Sequence, residues 1–102
     1  MNTETIKETI RNGIRKARLE GLAICTRDLG GRDKLTCCAV GSLVLDENVH
    51  KWQKVSEILG ITICDVTCIA SGFDAGHTIK TDDNEFCEIG IQIRQEVLSG
   101  AL

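Results

Sequence analysis

The chain has 102 residues, 42% hydrophobic and 26% charged and without proline, which fits one globular domain over residues 1–102 and argues against disorder. Three aromatic residues, Trp52, Phe73 and Phe86, leave none to spare for a groove that stacks bases, so direct nucleic-acid binding is not expected. No run approaches the roughly 20 apolar residues of a bilayer span, and residues 2–20 mix charge with isoleucine instead of forming an apolar leader, so the expected location is the cytoplasm. The net charge of −3 is unevenly placed: residues 1–34 carry eight Lys/Arg against five Asp/Glu, and the rest carries four against ten. A basic first third and an acidic remainder can orient binding to an anionic partner, or attract each other within one molecule.

Residues 5–20 predict the first helix. Thr5 and Glu8 fit a capping box, Ile6, Ile10, Ile14 and Ala17 recur at helical spacing, and Gly21 is the stop. Beside that apolar stripe runs a cationic one of Lys7, Arg11, Arg15 and Arg18. It reads either as a solvated face balanced by Glu4, Glu8 and Glu20 or as a contact surface.

Residues 22–27 and 34–40 flank R-D-L-G-G-R-D-K and predict a short β-hairpin. The Gly-Gly turn also has the parts of an anion site: backbone N–H groups and the cations Arg27, Arg32 and Lys34, ahead of a helix N-terminus. Neither the Walker nor the dinucleotide spacing is present. Residues 35–45, L-T-C-C-A-V-G-S-L-V-L, form the longest nearly uncharged run and are expected at the centre of the core, as a helix over 37–45 capped by Thr36.

Asn48 is the expected cap of a helix through Val49, Trp52, Val55, Ile58 and Leu59, ended by Gly60. Thr62 and Asp65 make a second capping box, opening a helix with Val66, Ile69, Ala70 and Phe73 on its core face. Residues 77–81 read as a connector, and Asp82 or Asp83 caps a last helix of Phe86, Ile89, Ile93 and Val97 that runs to Gly100. The expectation is a mainly α, compact single domain of about five helices with one short β-hairpin.

Six cysteines are the remaining chemical feature. Cys64 and Cys68 share a helix face, with Cβ atoms about 5–6 Å apart, too far for an unstrained disulfide between them. Three readings stay open: small core hydrophobes, a redox role, or zinc ligands completed by Cys25, Cys37, Cys38, Cys87, His50 or His77. No nucleophile stands at a recognisable spacing from either histidine, and Asp74 in G-F-D-A-G reads as a turn residue.

The order of parts, from the amphipathic helix through C-C-A-V-G-S-L and G-F-D-A-G to a closing F-x-x-I-G helix, resembles small uncharacterised proteins of phages and bacteria. Their signature reads C-C-L-G-V-L or C-A-V-G-A-L. The resemblance implies a helical fold and a mobile-element context and brings no catalytic residue with it. The expected function is a non-enzymatic binding protein of the anti-defence inhibitor type, without cofactor or metal, acting stoichiometrically on a host protein complex or an anionic small molecule. Its candidate contacts are Arg11, Arg15, Arg18, Arg27, Arg32 and Lys34. Homo-oligomerisation stays open, and the alternatives are a Cys/His metal-stabilised module, a nucleotide-binding sponge, and an enzyme acting through Cys or His.

Overall fold

Helix α1 spans Thr3–Leu19 and begins earlier than the Thr5–Glu8 pattern predicts, because Asn2 supplies the cap and accepts from the Thr5 N–H at 2.8 Å. Its buried face is Ile6, Ile10, Ile14 and Ala17, as the spacing requires. The helix ends in a Schellman turn: the Gly21 and Leu22 N–H groups bond the Arg18 and Ala17 carbonyls, and Gly21 supplies the left-handed φ of 88°. The computed structural model describes residues 2–26, 29–76 and 85–102.

Three two-residue strands follow: β1 (Ala23–Ile24), β2 (Gly30–Gly31) and β3 (Thr36–Cys37). Their order is β1-β3-β2, with β1 parallel and β2 antiparallel to β3. The two expected hairpin arms are therefore parallel neighbours, and the Gly-Gly pair, read as a turn, is itself the antiparallel strand. Glycine permits this, since a Cβ on Gly30, at φ 68°, would run into the Thr36 carbonyl. The reversal is made by residues 31–35, where Lys34 and Leu35 N–H groups bond the Gly31 and Arg32 carbonyls and Leu35 takes φ 58°.

The helix expected over 37–45 is a correction. Only a 3-10 turn forms, at Gly41–Leu43. A Cβ on Gly41 would meet the Leu29 carbonyl, so strand-side backbone lies where a helical side chain would stand. Residues 37–42 are all buried, and a run enclosed on every side needs no 3.6-residue period. Cys38, Ala39, Val40 and Val44 enter the main core, while Cys37 joins Ala17 and Leu22 in a smaller cluster, so the run holds both together. Leu35, at its edge, is 63% exposed.

Helix α2 (Lys51–Leu59) starts behind His50, at φ 56°, and not at Asn48; Gly60 ends it in the left-handed region. Val55 and Leu59 alone of its predicted face are buried, while Trp52 and Ile58 are partly exposed and Val49 precedes the helix. Helix α3 (Ile63–Ala75) has the expected cap, Thr62 accepting from the Asp65 N–H at 3.1 Å. Helix α4 spans Glu85–Leu98. The connector at 77–81 and the Asp82 or Asp83 cap lie outside the described residues. The molecule is mainly helical, with four α-helices among the described residues where about five are expected.

Helices α3 and α4 make the tightest contact in the core. A Cβ on Gly72 would strike the Cys87 carbonyl, and one on Gly90 the Ile69 carbonyl. Arg94 of α4 donates to the Phe73 and Asp74 carbonyls at 2.8 and 3.0 Å, satisfying the end of α3. Among the described residues no single helix is long and apolar enough to cross a membrane; α2 and α3 would suffice together, but they meet at a bend of 100°.

Candidate functional site

A hollow of about 620 Å³ lies between the β2–β3 turn and the segment leading into α2. Gly30 to Lys34 form one wall and Leu45 to Asn48 with Lys51 the other. The first wall exists because Gly-Gly lets the chain double back on β3; the second because the buried run surfaces at Leu45 and must turn before α2. Left-handed backbone at Leu35 and His50 flanks the two walls.

Arg32, Lys34 and Lys51 meet Asp33, Asp46 and Glu47 in this cleft. Arg32 crosses it, with Nε donating to Asp46 Oδ1 at 2.5 Å and Nη2 to Glu20 Oε1 at 3.1 Å. That hydrogen bond and charge hold the Asp46 carboxyl below its usual range and raise the Arg32 guanidinium above its own. Lys51 donates from Nζ to the Gly30 carbonyl at 2.7 Å, tying the walls together. An ammonium has three N–H donors, and this bond uses one. A smaller hollow of about 130 Å³, lined by Lys16 and Ser42 among others, shares Arg32 and Asp46, so their pair sits on the boundary between the two.

Of the sequence-predicted contacts, Arg32 and Lys34 stand in the cleft, and Arg27 lies outside the described residues. Arg11, Arg15 and Arg18 are on α1 and are not part of its lining. Arg11 grips Glu96 of α4 through two bonds of 2.7 and 2.9 Å and also reaches Glu8 at 2.7 Å. Arg15 bonds Asn12 at 3.0 Å and approaches Glu8 at 3.9 Å, and Lys7 pairs with Glu4 at 3.3 Å. The stripe thus faces carboxylates along most of its length, with Arg18 exposed at its end. Sequence reading missed Lys51, Asp46 and Glu47. Lys51 is hidden beside His50, and the Arg32–Asp46 partnership spans 14 residues with no periodicity to announce it.

Of the zinc set considered from the sequence, His77 lies outside the described residues, and among the described residues no three His, Cys, Asp or Glu side chains are grouped to hold a metal. Cys64 is exposed and Cys68 half-buried, whereas Cys37, Cys38 and Cys87 are buried. Burial pushes the Cys37 thiol up to about 11 and the Cys38 thiol up to about 12, so both stay protonated and are poor nucleophiles at neutral pH. No cysteine or histidine among the described residues lines the cleft. What the cleft can do chemically is hold charged groups with guanidinium, ammonium and carboxylate partners. Set against family models, curated proteins and solved structures, the chain matches none.

Proposed function

We propose that the chain is a non-enzymatic binding protein and that its cleft takes an anionic group of the ligand or partner. The observation that carries this reading is the convergence of Arg32, Lys34 and Lys51 on one hollow of about 620 Å³ walled by the Gly30–Gly31 backbone. Among the described residues the lining holds no thiol or imidazole that could act as a nucleophile, and its acids fit a different task. Asp46 orients Arg32 through their hydrogen bond. The resemblance at residues 37–43 is what suggests a phage or other mobile element as the source of such a module, and the mode of action proposed is stoichiometric binding to a host complex or to an anionic small molecule.

Calorimetric titration with inorganic pyrophosphate tests the reading. The expected result is saturable binding that weakens steeply with added salt and falls at least about tenfold in Lys34→Met/Lys51→Met, in line with loss of two charge-assisted bonds. Binding unchanged in that double variant would overturn the assignment of the site.

A further inference from the structure

We propose that Cys68 and Cys87 form a reversible disulfide, an oxidative modification site that staples α3 to α4. All six cysteines are free thiols, and these two touch across the helix pair, their side chains hydrogen-bonded to each other. A disulfide needs Cα atoms within about 4.4–6.8 Å, which residues on two helices reach where the backbones face each other closely. Here the glycines bring the backbones together. Gly72, one turn beyond Cys68, would place a Cβ 3.2 Å from the Cys87 Cα, and Gly90 would place one 3.0 Å from the carbonyl carbon of Ile69, the neighbour of Cys68. The thiol pair therefore sits where α3 and α4 are in backbone contact.

The two sulfurs have different exposure, which orders the chemistry. Cys68 is half-buried and reaches solvent, while Cys87 is 7% exposed and burial holds it in the thiol form. A hydroperoxide is the oxidant. The Cys68 thiolate attacks its terminal oxygen, the O–O bond breaks, and the alkoxide leaves with a proton as an alcohol, or as water when the oxidant is hydrogen peroxide. The Cys87 thiol then attacks the resulting sulfenic sulfur, the S–O bond breaks, and the hydroxyl leaves as water with the Cys87 proton. Two thiols and one hydrogen peroxide give one disulfide and two waters. A dithiol reverses the step by exchange. Cys64, one turn before Cys68, is exposed and is the natural internal competitor.

Mild hydrogen peroxide on the intact folded protein, followed by alkylation, intact mass and tryptic mapping, decides the matter. The expected product has lost two hydrogens, links peptides 55–80 and 81–94 through Cys68 and Cys87, and reverts with dithiothreitol. Cys64→Ser keeps the link and Cys68→Ser abolishes it. Fragmentation of the wild-type linked peptide assigns the sulfur without any variant, should Cys68→Ser fold poorly. A link through Cys64, a link formed equally fast in urea, or oxidation beyond sulfenic acid without any link would overturn the proposal.

Discussion

Arg11 leaves the cationic stripe of α1 to become a fastener. Its side chain is 14% exposed and that of its partner Glu96 22%, and the paired geometry joins the first helix to the last. Replacing Arg11 by Met leaves Glu96 half-buried without its cation, and urea denaturation at neutral pH should show a loss of about 1–3 kcal/mol, between the ranges for exposed and buried pairs. The same pair gives a pH signature. Arg11 holds the Glu96 carboxyl below its ordinary value of 4.5, chiefly by hydrogen bonding. A carboxyl depressed in the folded state contributes stability that is present above the unfolded value and lost as pH falls through the folded one. Stability of the wild type should therefore decline more steeply below about pH 4.5 than that of Arg11→Met, and equal acid slopes in the two proteins would contradict this role for the pair.

Among the elements, the α3–α4 contact rests on absent side chains. Gly72→Ala gains about 1 kcal/mol of helix propensity but drives a methyl into the Cys87 carbonyl, backbone that cannot rotate away. Overpacking of that kind costs about 3 kcal/mol, so the net expectation is destabilisation by about 2 kcal/mol. Gly13→Ala in α1 is the comparison, because the atoms nearest its new Cβ are the side-chain atoms Ser42 Oγ and Leu43 Cδ2 and not backbone. Its loss should be less than half as large. The helix caps divide in the same way: Thr62→Ala removes the bond to the Asp65 N–H and should cost about 1 kcal/mol. His50→Gly relieves φ 56° and should stabilise α2 by several tenths of a kcal/mol. Differential scanning calorimetry on the pair gives both signs in one experiment.

For the whole molecule, the surface helices were readable because each has one wet and one dry face. The Ile6–Ile10–Ile14 spacing and the Thr62–Asp65 box locate α1 and α3 from residue order alone. The enclosed run was readable as buried but not as a shape, since Cys38, Ala39 and Val40 are covered on all sides and carry no period. The Gly30–Gly31 strand was hidden for a related reason: glycine serves equally as a turn and as a strand pressed against a carbonyl, and only the Thr36 backbone decides which. Half of the cleft was visible in R-D-L-G-G-R-D-K. Its other wall, Asp46 to Lys51, arrives by chain topology, and the ties across it, Arg32 to Asp46 and Lys51 to Gly30, join residues 14 and 21 apart.

An anionic group of the proposed ligand is expected to meet this protein in that cleft and not along α1. Amide-resolved nuclear magnetic resonance during titration with pyrophosphate separates the two surfaces directly. Shifts concentrated at Gly30, Gly31, Lys34, Asn48 and Lys51, with Arg11, Arg15 and Arg18 unmoved, are the predicted result. Shifts confined to α1, or none at millimolar probe, would contradict it.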